Sequence, residues 1–215
     1  MTEEELVRRH PRVWHMAAAG SWPGIRQRGL LSVTGLLDAY GYEGEARRAV
    51  ESARRPDCVT LSREGMPDAV VRDNKPMFEK SLLKCLQDGL TPVQWYKTLN
   101  AKAFFWAERK RLDRLLGAYA SRPQVVLEVD TARLLERHGA SVRLSAINSR
   151  QTARKAQLRG LATFSTVADF PNGTGPLGKK ERPRVVEVVV QGGVPDVLDL
   201  IISVHRVEDG VWFGM

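Results

Sequence analysis

The pattern of apolar and polar positions alternates between strand-like and helical stretches along the chain. RVWHMA (12–17) and QVVLEVD (124–130) are short apolar runs with polar flanks, and they are predicted to be strands. PMFEKSLLKCLQDG (76–89) begins at a proline and places leucines at helical spacing, which predicts a helix. The same criteria predict further strands at 58–61, 69–72, 103–106 and 199–207, and helices at 3–9, 21–29, 33–40, 43–55, 91–99, 108–120 and 131–139.

The order of these elements predicts an α+β fold. Helices concentrate in the middle of the chain, while strands lie at both ends and between the helices. The Gly/Pro-rich stretch DFPNGTGPLGKKERP (169–183) is predicted to be a loop. The sequence contains no repeats and no linker that would divide it, so we expect a single domain spanning residues 1–215.

One strand carries a charge in an apolar setting. RVVEVVV (184–190) contains five valines, as expected of a strand buried on both faces, with Glu187 at its centre. A buried carboxylate is costly unless it is paired, hydrogen-bonded or used. Two interpretations remain open: the Glu187 face is solvated at a sheet edge, or it lines a cleft.

The charge balance favours an anionic partner. Lys and Arg total 33 against 25 Asp and Glu, a formal net charge of +8. Such an excess is typical of proteins that bind nucleic acid or a phosphate-bearing ligand, although a solvated basic surface would have the same composition. The stretch 137–168 holds six basic residues and no acidic one. We therefore expect a basic segment there.

Other classes of protein are disfavoured. The two cysteines, Cys58 and Cys85, form no C-x-x-C motif and do not cluster with histidine, which argues against a structural zinc site or a disulfide framework. The N-terminal MTEEELVRRH lacks the apolar core of a signal peptide, and no apolar run approaches the length of a membrane span. These features predict a cytoplasmic protein.

Three further positions each allow two interpretations. His15, in the first strand, is either a structural residue or a ligand-binding one. Arg72 follows an apolar pair, and it either forms a salt bridge with Asp73 or binds a ligand. The aromatic run 104–106 is either core or a surface on which a flat ring stacks.

The order of these features along the chain resembles the DarT-type DNA ADP-ribosyltransferases. VWHMAAAGSWPGIRQRGLLS (13–32) is similar to the opening of that family, which is a histidine-bearing strand followed by a short helix and Gly-Leu. VVRDNKPMF (70–78) resembles the segment that carries its NAD-contacting arginine, and VVEVVVQGGVPDVLDLI (185–201) resembles its terminal glutamate strand. The matches cover less than a quarter of the chain, and the helical region 76–120 departs from the family.

The resemblance implies a split, twisted β-core of the ADP-ribosyltransferase type with helical insertions. It also implies NAD+ as co-substrate and no metal. Glu187 and Arg72 would be catalytic residues. The residues that would hold NAD+ are His15, Met16, Arg72, Phe105 and Trp106.

The expected acceptor is a nucleic acid, with DNA favoured over RNA. The resemblance implies a toxin, with an antitoxin or an ADP-ribosyl hydrolase as a candidate partner. The basic segment would contact the phosphates of the polynucleotide. The candidate nucleic-acid-binding residues are Asn148, Arg150, Arg154, Lys155 and Arg159.

Two alternatives remain open at this point. The first is an NAD-dependent RNA 2′-phosphotransferase, whose chemistry needs several arginines that grip an RNA phosphate and does not require the glutamate. The second is a basic nucleic-acid-binding domain without catalytic activity on the same scaffold.

Overall fold

The fold is a mixture of helices and antiparallel strands, as the sequence predicts. The computed structural model describes residues 1–153, 156–171 and 184–215. The strands in this part of the chain are β1 (Arg12–Ala18), β2 (Leu30–Leu31), β3 (Val59–Arg63), β4 (Met66–Val71), β5 (Lys102–Trp106), β6 (Gln124–Asp130), β7 (Val142–Ser145), β8 (Glu187–Gln191), β9 (Gly193–Val194), β10 (Ile201–Glu208) and β11 (Val211–Gly214). The helices are α1 (Glu3–Arg9), α2 (Trp22–Arg28), α3 (Val33–Tyr40), α4 (Gly44–Glu51), α5 (Glu79–Leu83), α6 (Pro92–Asn100), α7 (Arg109–Ala118) and α8 (Thr131–His138).

A seven-stranded antiparallel sheet organises the protein. Its strand order is β11-β10-β6-β1-β5-β8-β7. The central strands are apolar on both faces because one face packs on the main core and the other is covered in part by α7. Two small sheets, the β2–β9 pair and the β3–β4 hairpin, lie outside this sheet.

The sheet is incomplete between β1 and β5. On its other side β1 pairs with β6 at seven consecutive positions, from Arg12–Asp130 to Ala18–Gln124. With β5 it pairs at a single position, Trp14 with Trp106. Beyond that pair the two strands separate. Their backbone edges, which hydrogen bonds would join in a continuous ladder, border an open space.

The valine-rich strand is buried on both faces, as its sequence predicts. β8 pairs with β5 on one side and with β7 on the other, and Glu187 lies opposite Trp106 and Ser145 in these ladders. The regular strand begins at Glu187 instead of Arg184. Glu187 therefore occupies the first paired position of an internal strand and not a solvated sheet edge.

Several predicted elements differ from the structure. The helix predicted at 76–89 is reduced to α5, because Asp88 and Gly89 adopt positive φ angles and the preceding turns are irregular. The helix predicted at 43–55 ends at Glu51. The sequence does not predict β7 or β11. QGGVP (191–195), which has no helical pattern after it and is interpreted as a turn, contains the short strand β9. Most of the predicted loop 169–183 lies outside the described residues.

The end of α2 predicts a specific sensitivity to substitution. Gly29 has φ +76°, and a Cβ there would lie 2.0 Å from the carbonyl oxygen of Pro195. Gly192 has a similar φ of +80° but has no atom within 4 Å of the Cβ position. Gly192→Ala should lower the free energy of unfolding by about 1 kcal/mol, from backbone strain alone. Gly29→Ala should cost roughly 1–3 kcal/mol more, because the backbone of Pro195, directly after β9, must move. Urea denaturation of both variants measures the difference, and equal losses would contradict this packing.

Candidate functional site

A cleft of about 590 Å³ occupies the space where β1 and β5 separate. β1 and β5 form two of its walls, and α2, β4, the end of α7 and the loop after β7 complete it. Its volume lies within the range of small-molecule sites, roughly 300–1,000 Å³. The predicted site residues that line it are His15, Met16, Arg72, Phe105, Trp106, Asn148, Arg150 and Glu187.

Glu187 is a buried acid in the wall of the cleft. The residue is only 3 % exposed. The backbone N–H of Ser149 donates to both carboxylate oxygens, at 3.2 and 3.3 Å. Burial raises the pKa of Glu187 to about 7, although Ser149 and the positive charge of Arg150 oppose the shift. The group can therefore change its charge near neutral pH.

His15 fills part of the gap between the strands. Its Nδ1 lies 2.8 Å from the carbonyl oxygen of Phe104 on β5. Since a carbonyl only accepts, Nδ1 donates, and Nε2 carries the lone pair of the neutral ring. Burial lowers the pKa of His15 to about 4, and the nearby Arg72 and Arg150 contribute to the shift. At neutral pH, His15 is thus an uncharged hydrogen-bond acceptor in the wall of the cleft.

Arg72 is held on three sides. Its Nη2 donates to the carbonyl of Met16 at 2.9 Å and to Oε1 of Gln124 at 3.1 Å, and its guanidinium lies 4.7 Å from the ring centre of Tyr119. The carboxylate of Asp73 accepts a hydrogen bond from the Tyr119 hydroxyl at 2.8 Å. Asp73 thus fixes the ring on which Arg72 stacks, and the side chain of Arg72 makes its hydrogen bonds to neutral acceptors.

Arg150 also faces the cleft. Its guanidinium stacks 4.2 Å from the ring centre of Phe104, and its Nε is buried without a hydrogen-bond partner in the described part of the chain. Burial lowers the pKa of Arg150, while Glu187 opposes the shift. The nucleic-acid-binding prediction placed this residue in a basic segment contacting a polynucleotide. In the structure its charge points into the cleft beside Glu187.

Phe105 borders the cleft with very little of its surface. The residue is 1 % exposed and its ring packs edge-on against His15, with ring centres 5.8 Å apart, so it presents no open ring face for stacking. The alternation of β5 turns Phe105 into the main core. Trp106 is half-buried and lines the cleft.

The remaining nucleic-acid-binding predictions have different outcomes. Asn148 lines the cleft, and its Oδ1 accepts from the backbone N–H of Arg150 at 3.2 Å. Arg154 and Lys155 lie outside the described residues. The structure places Arg159 away from the surface: its side chain is buried and donates to backbone carbonyl groups.

The model of a protein family of unknown function, DUF7002, matches residues 11–201. The chain belongs to the DUF7002 family. The matched segment contains every residue of the cleft discussed above. A search of the curated proteins finds no match to this DUF7002 chain.

Sequence reasoning missed three residues that shape the cleft of this DUF7002 protein. Tyr119 supports Arg72, Gln124 accepts a hydrogen bond from it, and Ser149 donates to Glu187. Tyr119 follows the last turn of α7, and Gln124 opens β6, where neither pattern nor motif marks it. The only available signal for Ser149 is its place in the acid-free segment.

The described residues contain neither a metal site nor a membrane-spanning helix. No group of three or more His, Cys, Asp or Glu side chains in this part of the chain could hold a metal ion. No helix there is long and apolar enough to cross a membrane.

The environment of Glu187 predicts how its removal changes stability with pH. Because the pKa is higher in the folded state than the ordinary value of 4.5, the folded state loses stability as pH rises from about 4.5 through 7. Glu187→Gln removes this loss and can still accept from Ser149. It should therefore stabilise the protein increasingly from pH 5 to pH 8, by up to about 3 kcal/mol.

Glu128 provides a control of opposite sign. Burial alone would raise its pKa, but hydrogen bonds from Ser203 and Arg12 outweigh burial and lower it. Glu128→Gln should therefore destabilise the protein more at pH 8 than at low pH. The contribution of Glu128 is constant above the ordinary pKa of 4.5, so the cost of its removal should shrink only as pH falls below that value. Thermal denaturation of both variants from roughly pH 3 to pH 8 measures the two trends, and a loss of stability with rising pH at both positions would contradict the assigned environments.

Proposed function

We propose that this DUF7002 protein is an NAD-dependent ADP-ribosyltransferase that modifies a nucleic acid, DNA in preference to RNA. The observation that carries the proposal is the meeting of Glu187, neutral His15 and Arg72 in one cleft where a sheet divides. The separation of β1 from β5 supports the split β-core that the family resemblance implies. The net charge of +8 supports a polyanionic acceptor.

Glu187 suits the chemistry at the ribose. In ADP-ribosyl transfer the bond between ribose C1′ and the nicotinamide nitrogen breaks, the electron pair leaves with neutral nicotinamide, and an acceptor atom bonds to C1′. The transition state has oxocarbenium character, so an ionised carboxylate in a dry site stabilises it. Glu187 would also take the proton that the acceptor loses. Its pKa of about 7 suits a group that must be ionised before attack and protonated after it.

His15 and Arg72 suit the binding of the dinucleotide. The lone pair on Nε2 of His15 would accept a hydrogen bond from a ribose hydroxyl, because the Nδ1 proton is already committed to Phe104. Arg72 would bind the pyrophosphate through the guanidinium nitrogens that Met16 and Gln124 leave free. Met16 therefore contributes by holding Arg72 in place.

Trp106 is the remaining aromatic candidate for contact with nicotinamide. It is half-buried, lines the cleft and lies opposite Glu187 in the β5–β8 ladder. This register brings a flat apolar ring beside the carboxylate that would act on the ribose. Stacking there would orient the leaving group relative to Glu187.

One observation favours a second candidate, the RNA 2′-phosphotransferase. Arg150 and Arg72 both face the cleft, and the structure shows no carboxylate hydrogen-bonded to either guanidinium among the described residues. Two such arginines could grip an RNA 2′-phosphate. That reaction would not depend on Glu187, which distinguishes it from the first proposal.

The direct test is incubation with NAD+ labelled in the ADP-ribose moiety and separate DNA, RNA and protein acceptors. We expect stable label on DNA from the parent protein. Glu187→Gln should retain folding and NAD+ binding and lose roughly 10²–10³-fold in transfer rate. If the protein is a toxin, cells should tolerate expression of this variant. Loss of a 2′-phosphate from RNA, undiminished in Glu187→Gln, would instead support the second candidate.

Arg72→Ala should weaken NAD+ binding, because a charge-assisted pair with phosphate contributes on the order of 1.5–3 kcal/mol. Arg109 is the matched control: its guanidinium also stacks on an aromatic ring, that of Trp212 at 4.0 Å, but it does not line the cleft. Arg109→Ala should leave the affinity unchanged. Calorimetric titration with NAD+ measures both, and equal affinities in the two variants would show that Arg72 has only a structural role.

A further inference from the structure

Arg159 is buried in an unusual way for a charged residue. It is 1 % exposed, and in the described part of the chain each nitrogen of its guanidinium donates to a backbone carbonyl oxygen. Nη1 donates to Ser149 at 2.8 Å, Nη2 to Gln151 at 2.9 Å and Nε to Gln157 at 3.1 Å. Burying a guanidinium costs desolvation free energy. The three hydrogen bonds to carbonyl oxygens offset part of this cost and indicate what the side chain does in the fold.

These contacts fix the segment that supplies the cleft. The carbonyls of Ser149 and Gln151 lie on either side of Arg150, so the fork of Arg159 bridges the backbone before and after it. The backbone of Arg159 is itself fixed, since its N–H donates to Cys85 at 2.9 Å and its carbonyl accepts from Gln87 at 2.9 Å. The side-chain and backbone hydrogen bonds of Arg159 therefore connect the loop at 149–151 to the region that follows α5.

The loop segment that Arg159 holds, residues 149–151, includes the residues that interact with Glu187. The N–H of Ser149 donates to the carboxylate, and the side chain of Arg150 extends over Phe104 into the cleft. Arg159 itself does not line the cleft. Its effect on the site must therefore pass through the loop.

We propose that Arg159 is a positioning residue, which holds Ser149 against the Glu187 carboxylate and aims Arg150 into the cleft without touching a ligand. A planar fork can bridge two carbonyls at once, whereas a lysine ammonium on a flexible chain cannot hold both in this geometry. The proposal rests on the proposed function only for its effect on catalysis, because its structural part concerns the loop alone.

The test substitution must preserve the positive charges around Glu187, because they affect its ionisation. Arg111 of α7, Arg150 of the loop and Arg159 each interact with the carboxylate through space. Arg159→Lys preserves the number of charges, so a change in the behaviour of Glu187 would come from the geometry of the loop. Arg55→Lys is the matched control, because Arg55 is also buried and donates to the carbonyls of Val50 and Arg72, neither of which belongs to this loop. Lysine at this position keeps the positive charge that acts through space on Arg150.

The experiment follows the backbone amide signal of Ser149 by NMR between pH 5 and 9. In the parent this signal should move with a midpoint near pH 7 as Glu187 ionises, and Glu187→Gln should abolish the movement and so confirm its origin. Arg159→Lys should shift the signal towards an unstructured position and remove the transition. Arg55→Lys should keep it. A parent-like transition in Arg159→Lys would overturn the proposal.

A second variant covers the case in which Arg159→Lys does not fold. Thr152 anchors the same loop, since its hydroxyl lies 3.3 Å from the carbonyl oxygens of Pro76 and Phe78 and shares its single proton between them. Thr152→Val should weaken the Ser149 transition in the same direction, and an unchanged signal would count against the proposal. In transfer assays Arg159→Lys should lower kcat by roughly 10–100-fold, with a smaller change in KM. If the parent shows no transfer, the proposed function fails while the amide signal still decides the role of Arg159.

Discussion

The separation of β1 from β5 is the constraint on which the site depends. An internal sheet with a continuous ladder would leave no room for a ligand, because each strand edge would be occupied by its neighbour. Here the ladder stops after Trp14 and Trp106, and the carbonyl of Phe104 instead accepts from the imidazole of His15. The side chain satisfies a backbone group that the missing ladder would otherwise leave unpaired in a dry site. The residues along both strand edges become the walls of the cleft.

The site residues are buried by different elements, and their electrostatic properties follow from that burial. His15 becomes neutral and Glu187 becomes a weaker acid, since desolvation disfavours the charged form of each group. Arg72 cannot lose its charge at neutral pH, and its stacking on Tyr119 partly replaces the lost water. An acid and a base from the large sheet and a permanent cation from the end of β4 are thus placed together within one cleft.

Much of the local structure could be predicted from sequence because its cause is local. β6 spans the same residues as the predicted strand, 124–130, and α6 begins at the Thr91-Pro92 pair that caps it. Glu187 could be found because a carboxylate among valines conflicts with its surroundings. The break between β1 and β5 could not, since it depends on pairing between distant strands. Phe105 and Trp106 are adjacent and chemically alike, and only the register of β5 decides which ring enters the core. Arg159 looked like a surface cation because charge counts carry no information on burial.

The charges in the cleft constrain the ligand that fits it. Arg72 and Arg150 are cations whose hydrogen bonds, in the described part of the chain, go to neutral groups or remain unmade, and Glu187 is a carboxylate whose ionisation is costly. A ligand with phosphates alone would form ion pairs with the two arginines, but the ionised form of Glu187 would remain unfavourable. One that combines phosphates with a cationic ring would relieve both costs, because the ring charge near Glu187 would lower the pKa of the carboxyl. NAD+ has this distribution of charge. The same substrate that would need an ionised Glu187 would thus promote its ionisation on binding, and the departure of neutral nicotinamide would restore a higher pKa as the acceptor proton arrives.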